Sequence, residues 1–84
     1  MTEELAQNAV VTITGIPANL LVVDPQSYED CYVLKSNLSG KTYHVESVEK
    51  VNGYTPEELN DMKVIGEHNG LCVYELIPWW NELV

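Results

Sequence analysis

Turn-forming residues interrupt this chain of 84 residues so often that it can hold only short strands and helices. Glycine, proline and asparagine gather at several points, and such clusters mark turns. The main clusters are Gly15 with Pro17, Asp24-Pro25, Asn52-Gly53 and Asn69-Gly70. Short apolar runs at close spacing between turns are typical of a small antiparallel β domain. A chain of this length forms at most one such domain.

The first half of the chain contains the runs from which we predict four strands. Val10–Thr14 consists entirely of β-branched residues, which favour strands, and Leu20–Val23 is a second apolar run. Cys31–Ser36 and Lys41–Val48 alternate apolar and polar residues, as half-buried strands do. The loop Asn37–Gly40 between these two runs predicts a hairpin.

The clearest local signal is a helix start at Thr55. Thr55 is a good N-cap, Pro56 fits the first helical position, and Glu58 completes a capping box. The neighbouring Glu57 also favours the positive end of the helix dipole. We therefore predict one short helix here, ending near Met62.

A last hairpin follows this helix. Lys63–His68 and Leu71–Ile77 flank Asn69-Gly70, a pair that suits a two-residue type I′ turn because both of its central residues take positive φ. The fold class we predict is α+β and mostly β: a small antiparallel barrel or roll, SH3-like or OB-like, with one short helix before the last hairpin. The single domain spans residues 1–84, with residues 1–8 as a short turn or frayed end and residues 78–84 as a C-terminal tail.

A zinc site is the first chemistry to consider. Zinc prefers the side-chain atoms of four residues in this chain: Cys31, His44, His68 and Cys72. With Asn69-Gly70 as the turn, His68 pairs with Leu71 and Glu67 pairs with Cys72. His68 and Cys72 then point to opposite sides of the sheet, because successive strand residues alternate faces. We predict no metal and no cofactor, and take the cysteines as free, largely buried thiols.

Catalysis finds little support in the sequence. A reactive thiol needs cations or a helix N-terminus to lower its pKa, whereas this chain is acidic and its cysteines lie in apolar strand patterns. Glu57 and Glu58 are explained by the helix start, and Asp61 lies one turn further. We predict no catalytic residue and no enzyme activity.

The charge of the chain limits its partners. Thirteen Asp and Glu stand against four Lys, a formal net charge of −9, and they run from Glu3 to Glu82. Such a domain repels nucleic acid and anionic membranes and is attracted to basic surfaces of other proteins. A generic soluble surface would also explain charge well away from zero. We expect no direct binding to nucleic acid or membrane.

Two sets of residues are candidates for contacting a protein partner. The acidic set is Glu29, Asp30, Glu46, Glu49, Glu57, Glu58, Asp61 and Glu67. The aromatic set is Trp79 and Trp80, because tryptophan is prominent among interface hot spots. One tryptophan exposed beside Pro78 would anchor a complex, although both could instead close a small core.

In size, acidity and lack of a catalytic motif, the chain resembles phage-encoded inhibitors of host nucleic-acid enzymes, DNA-mimic and anti-CRISPR proteins among them. The resemblance lies in composition and in no particular motif. It implies an acidic inhibitor that blocks the basic, nucleic-acid-binding surface of a larger enzyme as a nucleic-acid mimic. The alternative is a structural or assembly subunit of a larger particle.

The expected setting follows from the N-terminus and the cysteines. The first residues lack a basic region followed by a long apolar run, so we expect no secretory signal. Two cysteines without such a signal indicate free thiols in a reducing compartment. We expect a cytoplasmic protein, in the host cytoplasm if it is phage-encoded, and a monomer or weak homodimer.

Overall fold

The computed structural model describes residues 1–27 and 30–77, which form a small α+β domain around one five-stranded antiparallel sheet. The elements are α1 (Glu3–Thr14), a 3-10 turn (Ala18–Leu20), β1 (Leu21–Val23), β2 (Cys31–Ser36), β3 (Thr42–Ser47), α2 (Val48–Val51), α3 (Pro56–Asn60), β4 (Met62–His68) and β5 (Leu71–Leu76). The strand order is β1-β2-β3-β5-β4. Since β1 and β4 are edges, the sheet formed by these residues is open, and the predicted barrel or roll is not confirmed.

The N-terminal segment is a helix, so the strand predicted at Val10–Thr14 is wrong. The short turn that was one alternative for residues 1–8 is the start of this longer helix. The hydroxyl of Thr2 caps α1 by accepting a hydrogen bond from the backbone N–H of Leu5 at 3.2 Å. Gly15 ends the helix with φ 77°, a conformation that glycine adopts without strain. Tertiary packing outweighs the β propensity of the segment's second half.

Helix α1 packs on one face of the sheet, which we call the inner face. Ala6, Ala9 and Val10 are completely buried there, and the two alanines let the helix approach the strands closely. The main core lies between α1 and the sheet. Its buried residues are Ala6, Ala9, Val10, Ile16, Leu21, Leu34, Tyr43, Val45, Leu71 and Val73.

Gly66 on β4 lies close to Ile13 of α1. A Cβ at Gly66 would lie 3.1 Å from Cγ2 and 3.3 Å from Cδ1 of Ile13. We expect Gly66→Ala to lower the free energy of unfolding by about 1 kcal/mol or more, because overpacking forces neighbouring atoms to shift. Urea unfolding should show that this cost disappears in an Ile13→Ala background. An equal cost in both backgrounds would mean that α1 does not press on Gly66.

The predicted strands and turns from Leu21 onward are largely confirmed. The last hairpin turns at Asn69 (φ 50°) and Gly70 (φ 78°), as a type I′ turn requires. Its register also agrees with the prediction, with His68 opposite Leu71. The other predicted pair, Glu67 with Cys72, is also present in the ladder.

The helix predicted at Thr55 is confirmed as α3. The Thr55 hydroxyl accepts a hydrogen bond from the backbone N–H of Glu58 at 3.3 Å. The Glu58 carboxylate in turn accepts one from the backbone N–H of Thr55 at 3.3 Å, which completes the capping box. Helix α2 was not predicted, and Val48, placed in a strand by the sequence, begins it.

The other side of the sheet, the outer face, is partly covered by residues 48–61. Val51, Cys72 and Tyr74 form a small second core there. Val48, Tyr54 and Met62 pack against its edge. Among the helices of the described residues, none has the length and apolar character needed to cross a membrane.

Candidate functional site

Glu46 lies on β3 and points to the outer face, where it is 4% exposed. The sequence predicted it as a surface acid for a partner, and the structure corrects this, because residues 48–61 fold back over it. Its carboxylate accepts hydrogen bonds from the hydroxyl of Tyr54 and, at 2.7 Å, from that of Tyr74. Tyr54 lies between α2 and α3, whereas Tyr74 lies on β5. Glu46 therefore ties residues 48–61 to two strands of the sheet.

The ionisation of Glu46 is set by opposing effects. Burial by itself raises its pKa, because the charged form loses hydration. Hydrogen bonds donated by Tyr54 and Tyr74, together with the Cys31 thiol, outweigh burial and hold the pKa below its ordinary value of 4.5. The pKa values of both tyrosines are raised, by burial and then by their bonds to Glu46. At neutral pH Glu46 is therefore a buried carboxylate, and the hydroxyls of Tyr54 and Tyr74 keep their protons.

The two cysteines are free, as the sequence indicated, and face this same side of the sheet. Burial, followed by the neighbouring Glu46, raises the pKa of Cys31 to about 11. Burial also raises the pKa of Cys72, with a further contribution from Glu67. Both thiols are protonated at neutral pH, the form in which a thiol is a poor nucleophile and a poor metal ligand.

His44 is the other titratable group on this face of β3. Its ring stacks on that of Tyr74, with the centroids 5.1 Å apart and the planes 14° from parallel. Burial lowers the His44 pKa, against an opposing effect of Glu46, so the ring is neutral at pH 7. Within residues 1–27 and 30–77, no three His, Cys, Asp or Glu side chains gather as a metal site would need, and no pocket opens.

The remaining acids of the predicted set lie at the surface wherever the structure describes them. Four of them belong to residues 49–61, which we call the acidic segment: Glu49, Glu57, Glu58 and Asp61. Glu67 is exposed on β4. Asp30 is exposed and pairs with Lys50 of the acidic segment, with Oδ2 3.1 Å from Nζ. This hydrogen bond lowers the pKa of Asp30 and raises that of Lys50. Glu29, Trp79 and Trp80 lie outside the described residues.

An apolar patch on the outer face was missed by the sequence analysis. Val64 on β4 and Leu76 on β5 are 49% and 53% exposed. Val64 is the cross-strand partner of Tyr74, and Leu76 lies two residues further along β5, so both side chains are on the outer face. The sequence did contain a signal for this patch, because β4 and β5 have apolar residues at positions that point to both faces of the sheet.

The outer side therefore carries two exposed features, the acidic segment and the apolar patch of Val64 and Leu76. The network of Glu46, Tyr54 and Tyr74 fixes the acidic segment to β3 and, through Glu46, to β5, the strand that bears Leu76. Comparison with family models, with curated proteins and with solved structures finds no match for this chain.

Proposed function

We propose that this chain is a small protein-binding module that uses its acidic surface to bind and block a basic surface on a larger protein. The intended surface is one that handles nucleic acid, so the module acts as a nucleic-acid mimic and inhibitor. The proposal does not involve catalysis, a cofactor, or direct contact with nucleic acid or membrane.

The observation that supports the proposal most is the composition and anchoring of the acidic segment. Residues 49–61 contain four acids and one lysine, and that lysine already pairs with Asp30. The segment is held to the sheet by the hydrogen bond from Tyr54 to Glu46. Charges on an anchored segment keep a fixed spacing that the basic groove of a partner can match. Binding then carries only a small entropic cost for ordering the segment.

Electrostatics gives this surface a definite kinetic signature. Complementary charge steers the encounter and raises the association rate, and added salt screens that attraction. Binding should therefore weaken as salt is raised, mainly through slower association. A phosphate backbone carries the same sign of charge and would compete for the same basic groove.

The first experiment is affinity capture from a cell lysate, with elution by a salt gradient and identification by mass spectrometry. The proposal expects a nucleic-acid-handling enzyme that elutes as salt rises and that free DNA or RNA displaces. Recovery of only proteins that stay bound through high salt and ignore nucleic acid would contradict it.

Charge-matched variants locate the contact. Glu57 and Asp61 are exposed, and neither is part of the capping box, so Glu57→Gln with Asp61→Asn removes two charges from the acidic segment and leaves the cap intact. We expect affinity for the captured partner to fall roughly 3- to 10-fold at low salt, with a shallower salt dependence. Glu3→Gln with Glu4→Gln removes equal charge from α1 and should change affinity less than about twofold. If the two double variants lose affinity equally, binding depends on net charge alone and not on the position of the acids.

An assembly subunit is the second candidate, and the exposed apolar patch of Val64 and Leu76 favours it. In that case apolar contacts would hold the complex, and charge would serve only solubility. Sedimentation at rising protein concentration separates the two candidates, because self-association that is insensitive to salt is expected only for the assembly subunit.

A further inference from the structure

We infer that the partner presents an amphipathic basic helix, which lies on Val64 and Leu76 with its cations toward the acidic segment. This inference rests on the proposed function and adds to it the site of contact and the chemistry of the partner element.

The apolar part of this surface is a pair of adjacent side chains on two neighbouring strands. Val64 and Tyr74 are cross-strand partners, and Leu76 pairs with Met62 in the same ladder. Val64 and Leu76 are therefore diagonal neighbours on the outer face, about 7–8 Å apart. Each is about half exposed, whereas Tyr74 between them is buried. Burying both would remove apolar area from water that the described residues leave exposed.

The acidic part lies beside the same two strands. Helix α3 packs next to β4, and Asp61 directly precedes that strand. The backbone carbonyl of Asp61 accepts a hydrogen bond from the N–H of Ile77 at 2.8 Å, which places Asp61 at the end of the sheet where Leu76 lies. Asp61 and the acidic helix α3 therefore lie at the same end of β4 and β5 as Leu76.

The opposite edge of the outer face has a different charge. Val22 on β1 is 51% exposed, much like Leu76, but its cross-strand partner is the exposed Lys35. Asp24 continues the β1 ladder on this same face and offsets the charge of Lys35. A cationic element is therefore attracted less strongly there than beside α3 and Asp61. Charge complementarity thus selects the β4–β5 half of this face for a basic partner.

A helix is the element that suits this half. A sheet face is covered most readily by a helix that turns an apolar stripe to it, as α1 does on the inner face of this same sheet. A partner helix with apolar residues at i, i+3 or i+4 would contact Val64 and Leu76. Its flanking Lys or Arg residues would then lie near Glu57 and Asp61.

The test uses a synthetic helical peptide of leucine and lysine in an amphipathic repeat, with fluorescence anisotropy at low salt as the readout. We expect Val64→Ser with Leu76→Ser to weaken binding at least tenfold, and Glu57→Gln with Asp61→Asn to weaken it several-fold. Val22→Ser is the matched control, with similar exposure on the same face, and should change the dissociation constant less than twofold. Circular dichroism and urea unfolding check that each variant remains folded.

The outcomes separate this inference from the proposed function. Binding that depends on Glu57 and Asp61 but not on Val64 and Leu76 would overturn the helix site and leave an acidic interface standing. Binding that also ignores Glu57 and Asp61 would overturn both. If removal of residues 78–84 strengthens peptide binding tenfold, the chain's own tail occupies the site and the inference fails. If Leu76→Ser dissolves a dimer seen in sedimentation, a second copy occupies the site and the inference likewise fails.

Discussion

Glu46→Ala is expected to lower the free energy of unfolding by about 2–4 kcal/mol. The substitution removes the acceptor of two hydrogen bonds to a charged group, and it leaves the hydroxyls of Tyr54 and Tyr74 without that partner. It also opens a space under residues 48–61, where Glu46 as a whole is 4% exposed. Urea unfolding followed by circular dichroism measures the loss.

Glu67→Gln provides the control, because it removes an equal charge from an exposed position near the same part of the sheet. A surface neutralisation of this kind should change the free energy of unfolding by less than about 0.5 kcal/mol. If Glu46→Ala costs no more than Glu67→Gln, the carboxylate does not hold residues 48–61 to the sheet.

The same carboxylate predicts a dependence of stability on pH. The folded pKa of Glu46 lies below its ordinary value of 4.5, so ionised Glu46 stabilises the fold above about pH 4.5, and this contribution is lost as the pH falls through the lowered pKa. The difference in unfolding free energy between the wild type and Glu46→Gln should therefore narrow as the pH falls. In Tyr54→Phe with Tyr74→Phe, burial acts with fewer opposing donors, and carboxyl-carbon NMR should show a higher Glu46 pKa. An unchanged pKa would contradict the assigned donors.

Leu34→Ala is expected to lower the free energy of unfolding by about 2–5 kcal/mol. Leu34 is completely buried on β2, in the core between the sheet and α1. Native domains are stable by only about 5–15 kcal/mol, so the loss is a large part of the total. Urea unfolding should show a lower midpoint with an unchanged slope.

Leu38→Ala is the matched control for this prediction. Leu38 lies in the loop of the same β2–β3 hairpin and is 68% exposed. The same chemical change should cost less than about 0.5 kcal/mol there. If the two substitutions cost equally, α1 does not bury the inner face around Leu34.

The parts of the fold that the sequence predicted are those with local causes. The type I′ turn at Asn69-Gly70 and the capping box at Thr55 depend on residues within a few positions of each other. Strands β2 and β3 likewise follow from alternation around a short loop. Such signals need no knowledge of the rest of the chain.

Helix α1 was missed because its β-branched second half favours a strand by propensity alone. Its signals were present nevertheless: Thr2 as an N-cap, two acids in the first turn, and Gly15 at the end. Ala6, Ala9, Val10 and Ile13 also follow the helical spacing i, i+3, i+4 and i+7. The sheet to which this stripe binds is built by residues far along the chain.

The candidate site was predicted in its composition but not in its arrangement. The acids at Glu49, Glu57 and Asp61 lie at the surface, whereas the one at Glu46 is buried. The structure places Glu46 on the face opposite the main core, where an acid is more often solvated. Its burial depends on Tyr54 and Tyr74, at separations of 8 and 28 residues, and a pairing of that kind has no local signature.

The proposed function requires that the acidic surface occupy a groove meant for nucleic acid. The most direct test takes the purified captured enzyme and measures its affinity for a labelled nucleic acid as this protein is added. Competition predicts that this protein displaces the nucleic acid at low salt and that displacement fades as salt rises. The double variant Glu57→Gln with Asp61→Asn should displace the nucleic acid less effectively than the wild type. A ternary complex in which the enzyme holds both molecules with unchanged affinity would contradict the claim.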